Sequence, residues 1–132
     1  MSEVIETTAT SVFLDERGVL HVVSNGTMST PETVAETVAV IHTLVSRPVP
    51  ALFDARKWPK AGSDTWMAII DVLPSIVSAS ALLVLPDGEA LLGGFPSAVN
   101  RLMLPLEVFT DEAEATAVLE QFITGDDDWE EE

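Results

Sequence analysis

One short loop holds the residues of this chain that are best suited to bind a charged ligand. Arg56, Lys57 and Lys60 are half of the six Lys and Arg residues in the 132-residue chain, and Ser63 follows at the predicted start of a helix. Free N–H groups at a helix N-terminus attract anions, and nearby cations strengthen that attraction. These four residues are therefore candidate anion-binding residues, although the glycine pattern of a phosphate-binding loop is absent. Alternatively, the three bases only balance neighbouring acids on a solvated loop.

The remaining reactive side chains do not form a local catalytic or metal-binding pattern. His21 and His42 are the only histidines, and each has apolar neighbours that are typical of a partly buried, hydrogen-bonded histidine. A metal site would need further ligands at suitable spacing, and Asp54 is interpreted as a capping or loop residue. We predict no catalytic residue, metal or cofactor, and hence a non-enzymatic protein. A catalytic triad formed by residues that are distant in the sequence remains open.

Composition and charge narrow the classes of protein and partner. Hydrophobic residues make up 47% of the chain, which favours a globular domain, and the absence of cysteine excludes disulfides and thiolate chemistry. The net charge of −16 repels polyanions, so we expect no nucleic-acid partner. The longest uncharged stretch, residues 72–86, is shorter than the roughly 20 residues of a membrane-spanning helix. With no signal peptide recognised, we expect a cytoplasmic protein without membrane insertion.

The pattern of apolar runs and turn residues predicts a single α/β domain over residues 1–124. Its order is ββαβαβαβα, which implies a mixed five-stranded sheet with one antiparallel strand, because strand–helix alternation produces parallel strands. We expect a frayed lead-in over residues 1–10, and an acidic tail over residues 125–132 after a helix that Gly125 ends. The predicted strands are 11–14, 19–23, 50–54, 79–85 and 106–109. The predicted helices begin at Thr30-Pro31, Ser63-Asp64-Thr65 and Thr110-Asp111. A broken helical segment is predicted over 88–103.

Three passages carry a resemblance to a known family. They are the hairpin over 14–21, the strand over 51–56, and the stretch from 81–88 through 106–115, which includes Phe-Thr-Asp-Glu-Ala-Glu-Ala. In these passages and in its element order the chain resembles the STAS-like superfamily. In particular, it resembles the small stand-alone bacterial proteins grouped with STAS and CRAL-TRIO lipid-binding domains. The resemblance implies a mixed sheet with helices mainly on one face.

The resemblance also implies a regulatory position. STAS domains that antagonise anti-sigma factors carry a phosphorylatable Ser or Thr at a helix start, within a sequence such as Asp-Ser-Ser-Gly. The nearest position in this chain is Ser63, within Gly-Ser-Asp-Thr, where the preceding Asp and the following Gly are missing. Ser63 is therefore a candidate phosphoacceptor.

Two functions of different classes remain open. The first is a non-enzymatic STAS-like regulatory or protein-interaction module, with a homodimer or another protein as partner. The second is a binding protein for a small anionic or lipid-like ligand, held by the loop with Arg56, Lys57 and Lys60 or by an apolar pocket beside the Gly-Gly-Phe-Pro sequence at 93–96. A deep pocket lined by Arg56, Lys57 or Lys60 would favour the binding protein, whereas a flat apolar surface would favour the module.

Overall fold

The computed structural model describes residues 4–57, 63–86 and 106–131, with side chains for all of these except 63 and 122–131. The described elements are a six-stranded sheet and three helices. The strands are β1 (Ile5–Glu6), β2 (Thr10–Leu14), β3 (Leu20–Ser24), β4 (Val49–Asp54), β5 (Val77–Leu83) and β6 (Leu106–Phe109). The helices are α1 (Pro31–Leu44), α2 (Ser63–Ile76) and α3 (Glu112–Glu131).

The strands lie side by side in their order along the chain. The β1–β2 and β2–β3 pairs are antiparallel, and the three pairs from β3 to β6 are parallel. All five predicted strands are present with the predicted directions, so the α/β class and the mixed sheet are confirmed. The prediction of five strands is wrong by one, because β1 adds a short strand at the edge.

A cluster of threonine hydroxyls holds this added strand in place. The Oγ1 atom of Thr10 lies 2.7 Å from that of Thr7 and 3.0 Å from that of Thr37 on α1. Between the two strands, Ala9 is only 2% exposed. The expectation of a frayed lead-in over residues 1–10 is therefore wrong for residues 5–10. The buried hydroxyls of Thr7 and Thr37 therefore both have hydrogen-bond partners, which avoids the cost of burying an unpaired hydroxyl.

Local sequence signals set the ends of the first helix and the hairpin. The Thr30 hydroxyl accepts a hydrogen bond from the Thr33 backbone N–H at 3.2 Å, and the Thr30 N–H donates to the Thr33 hydroxyl at 2.8 Å. This reciprocal cap precedes Pro31 at the first helical position, as predicted. The turn between β2 and β3 uses Gly18 at a φ of 90°, a conformation that favours glycine.

Helices cover both faces of the sheet. On one face, α1 and α2 pack on a core that includes Leu20, Val22 and Leu82. On the other face, α3 packs on β4 and β5 through Ala115 and Leu119. Two of the three described helices thus share one face of the sheet. The third covers the opposite face, so the expectation of helices mainly on one face holds for α1 and α2 alone.

Pro74, which we expected to bend or end α2, lies inside the helix, which continues to Ile76 because a missing N–H in the last turn removes a single hydrogen bond. The predicted end of α3 differs from the structure. Gly125 does not end α3, which continues to Glu131, because one glycine inside a helix costs only about 1 kcal/mol. The predicted broken helix over 88–103 lies outside the described residues.

Candidate functional site

The carboxyl end of β4 places an acid and a base in direct contact. Arg56 follows the last residue of the strand, Asp54, by two positions. Its Nε atom donates to Asp54 Oδ1 at 3.0 Å, and its Nη2 atom donates to Asp54 Oδ2 at 2.6 Å. The same Nη2 atom lies 3.4 Å from the Glu112 carboxylate at the start of α3. Arg56 is therefore held by two carboxylates, which supports the alternative that the loop bases balance neighbouring acids.

The electrostatics of this pair keep both groups charged. Burial raises the pKa of the Asp54 carboxyl, but the hydrogen bonds and charge of Arg56, together with the charge of Lys57, outweigh it. The net pKa of Asp54 therefore lies below its ordinary value of 3.8. The hydrogen bond from Arg56 to Asp54 in turn raises the pKa of the guanidinium. An anion that approached Arg56 would have to displace Asp54, an ionised group already in bidentate contact.

The other predicted anion-binding residues are only partly placed by the structure. Lys57 is exposed in the same loop as Arg56. Ser63 is the first residue of α2, as predicted for a helix start, and its side chain is outside the description. Lys60 lies outside the described residues. The structure thus brings Arg56 and Lys57 to the carboxyl edge of the sheet, with Arg56 already engaged.

A cavity of about 90 Å³ lies between α1, α2 and the sheet, and it is partly open to solvent. Its surface is almost entirely carbon. Apolar side chains from all three layers form most of its described wall, among them Val34 and Val38 from α1, Ile69 and Val72 from α2, and Phe53 and Leu82 from the sheet. The arrangement offers a small apolar ligand a largely preformed space.

Hydroxyl groups also line this cavity, but they are used within the protein. The Thr37 hydroxyl is paired with Thr10, and the Thr33 hydroxyl donates to the Thr30 carbonyl oxygen at 3.0 Å. The Ser24 hydroxyl accepts from the Gly26 N–H at 3.4 Å. With these bonds made, the side chains contribute mainly carbon to the wall. Asp54 is the one charged residue among the described lining residues, but its carboxylate is bound by Arg56, which also contacts Glu112 of α3 on the opposite face of the sheet.

The helix residues of the cavity wall include members of two apolar stripes whose spacing predicts a buried face, not a binding site. The spacing of Val34, Val38 and Ile41 correctly predicts the inward face of α1, and Ile69 and Leu73 mark that of α2. The empty volume depends on how far apart α1, α2 and the sheet lie, which no local pattern specifies. The signal in the sequence is the run of short, β-branched Val and Thr side chains on the inner face of α1.

A second polar cluster lies at the hairpin between β2 and β3. His21 Nε2 lies 2.9 Å from Asp15 Oδ2, and the His21 ring stacks on Phe13 with ring centres 4.4 Å apart. Asp15 also accepts from the N–H groups of Arg17 and Val19, both near 3 Å. Burial raises the pKa of Asp15, but the hydrogen bond from His21 and those within the turn outweigh it, leaving the pKa below 3.8.

These contacts indicate that the Asp15–His21 pair stabilises the hairpin between β2 and β3. The prediction that His21 is partly buried and hydrogen-bonded is confirmed. The same prediction is wrong for His42, which is exposed because it lies beside the inward stripe of α1 and not within it. Within the described part of the chain, His21 has no hydroxyl partner of the kind that nucleophilic catalysis requires.

The described residues show neither a metal-binding cluster nor a membrane-spanning helix. No group of three or more His, Asp or Glu residues in the described ranges is arranged to hold a metal ion. No described helix is both long and apolar enough to cross a membrane. Comparisons with family models, curated proteins and solved structures found no match to this chain.

Proposed function

We propose that this protein is a non-enzymatic binding protein for a small, predominantly apolar ligand, which occupies the cavity between α1, α2 and the sheet. The carbon-walled cavity of about 90 Å³ is the observation that carries this proposal. For comparison, an engineered apolar cavity of roughly 150 Å³ stays dry and binds benzene or xenon. A volume of 90 Å³ suits one short alkyl chain, and the partly open wall lets a longer ligand extend outwards.

The described residues of the cavity wall favour this ligand over an anionic one. The pocket that would support an anion binder has Arg56, Lys57 or Lys60 in its wall, whereas none of the described wall residues is a Lys or an Arg. Arg56 is paired with Asp54 and Glu112. The resemblance to proteins grouped with CRAL-TRIO lipid-binding domains adds support for a lipid-like ligand.

The test fills the cavity and measures binding. Val38→Phe introduces a ring into the cavity wall, and Ala39→Phe places the same ring on the exposed side of α1 as a matched control. Binding of xenon and of 1-pentanol is followed by NMR chemical-shift changes after both variants are shown to fold by circular dichroism. We expect binding to the native protein and to Ala39→Phe, and at least tenfold weaker binding to Val38→Phe. Absence of binding to the native protein, or equal binding to both variants, would contradict the proposal.

A STAS-like regulatory or protein-interaction module is the second candidate, and one observation favours it. Ser63 begins α2, where a phosphoserine would meet the positive end of the helix dipole. Mass analysis of the protein from its own cells tests this candidate, with modification of Ser63 but not of the loop residue Ser46 as the expected result. Sedimentation at high concentration tests the expected homodimer, which a single 14.2 kDa species would contradict.

A further inference from the structure

The cavity has a closed end and an open end, which differ in the exposure of the helix residues that line it. Ile41 in the last turn of α1 and Leu73 and Ile76 in the last turn of α2 are at most 3% exposed. Thr33 and Val34, in the first turn of α1, are partly exposed. The opening therefore lies towards the N-terminal ends of these helices. In parallel strand–helix units that end is the carboxyl edge of the sheet.

The sheet side of the wall shows the same difference. Phe53 is paired in the sheet with Val22 of β3 and Leu82 of β5, which are 7% and 1% exposed, yet Phe53 itself is partly exposed. Ala55, which follows the carboxyl end of β4, is also a partly exposed wall residue. Leu106, at the amino end of β6, is a buried one. The exposed part of the wall thus lies at the carboxyl edge on both sides of the cavity.

The hydroxyl-bearing residues of the described wall lie towards the open end. Ser24 is the last residue of β3, Thr10 is paired with it on β2, and the Thr37 hydroxyl lies 3.0 Å from that of Thr10. Ser29 and Thr33 lie just before α1 and in its first turn. The described residues of the closed end carry hydrocarbon side chains only. A polar atom placed there would lose its hydrogen bonds to water without gaining a partner from these side chains, which is unfavourable.

We propose that the cavity binds its ligand by a hydrocarbon end, with the polar end at the carboxyl edge of the sheet, and that it discriminates against ligands that are polar at both ends. This inference rests on the proposed function and narrows its ligand class to molecules with one polar end, such as straight-chain alcohols. The closed end of the cavity accepts carbon alone, whereas a polar group at the open end keeps its contact with water.

The first experiment compares 1-pentanol with 1,5-pentanediol, which adds one hydroxyl at the other end of the same chain. Dissociation constants are measured by NMR titration of the native protein, and intermolecular NOEs give the orientation of bound pentanol. We expect the diol to bind more weakly by a factor of about ten or more, because its second hydroxyl is buried without a partner. We expect NOEs from the terminal methyl of pentanol to Ile76, and from its hydroxyl-bearing carbon to Val34.

The second experiment makes the same substitution at the two ends of the α2 wall. Ile69 and Ile76 both line the cavity and lie two helical turns apart on one face of α2, and Ile69 is the partly exposed one. Ile76→Thr places a hydroxyl at the closed end, so we expect the gap between pentanol and diol to shrink to about threefold or less. Ile69→Thr is the matched control and should leave the gap unchanged. Circular dichroism shows whether both variants fold; if Ile76→Thr does not, the diol comparison and the NOEs of the native protein decide the outcome.

Three results would overturn this inference and leave the proposed function standing, since pentanol would still bind. They are a diol that binds the native protein within threefold of pentanol, NOEs that place the hydroxyl end of pentanol at Ile76, and an unchanged gap in folded Ile76→Thr. If pentanol itself does not bind, the proposed function fails, and the inference fails with it.

Discussion

Ser80 lies in the middle of β5, on the sheet face that α1 and α2 cover, with Ala51 and Leu106 as its cross-strand neighbours. The residue is 5% exposed, and its hydroxyl has no hydrogen-bond partner among the described residues. In the unfolded chain this hydroxyl is hydrogen-bonded to water. Folding therefore removes those bonds without replacing them, and replacement of Ser80 by alanine should stabilise the protein.

The expected size follows from two opposing effects. Burying a hydroxyl without a partner costs about 1–3 kcal/mol. Ser80→Ala removes this cost but also removes one buried oxygen, which leaves a small space and loses some packing. We expect a net increase of about 1 kcal/mol in the free energy of unfolding, which for a domain of this size raises the melting temperature by roughly 4 °C.

The assay is chemical and thermal denaturation of the native protein and two serine variants. Ser78→Ala is the matched control, because Ser78 lies on the same strand but is exposed, and such a change usually alters stability by less than about 0.5 kcal/mol. If Ser80→Ala lowers the free energy of unfolding by 1 kcal/mol or more, the reasoning is refuted. That result would mean that the hydroxyl is hydrogen-bonded in solution.

Three further predictions use other parts of the molecule. Thr37→Val should lower the free energy of unfolding by about 1 kcal/mol, because it leaves its threonine neighbours short of a partner; no loss relative to Thr43→Val, on the exposed side of α1, would contradict this. Asp15→Asn should lower the free energy of unfolding by about 2 kcal/mol at pH 7, because the ionised Asp15 carboxylate accepts its hydrogen bonds fully at that pH. Because the folded pKa of Asp15 is lowered, that difference should fade as the pH drops through 3.8 and below, with Glu16→Gln at an exposed position of the same turn as the matched control; a loss independent of pH would refute the linkage. Deleting residues 125–132 should change the melting temperature by less than about 2 °C, since adjacent like charges at a helix C-terminus do not stabilise the helix; a larger fall would show that this segment packs on the domain.

Features that depend on nearby residues were predicted well. The cap at Thr30, Pro31 at the first helical position and the turn at Gly18 each depend on residues within about four positions. The directions of β2 to β6 also followed from the sequence, because strands linked by helices pair in parallel with right-handed crossovers.

Features that depend on distant residues were decided by the tertiary structure. β1 is held by a hydroxyl of α1 that lies 30 positions from Thr7, and Arg56 meets Glu112 across 56 positions. The cavity depends on the spacing between two helices and a sheet whose inner faces were each predicted as ordinary core. Periodicity reveals which face of an element is buried, since it reflects the geometry of one element. The distance between elements and the partner of a given charge arise only when the elements pack together, and those two quantities define the candidate site.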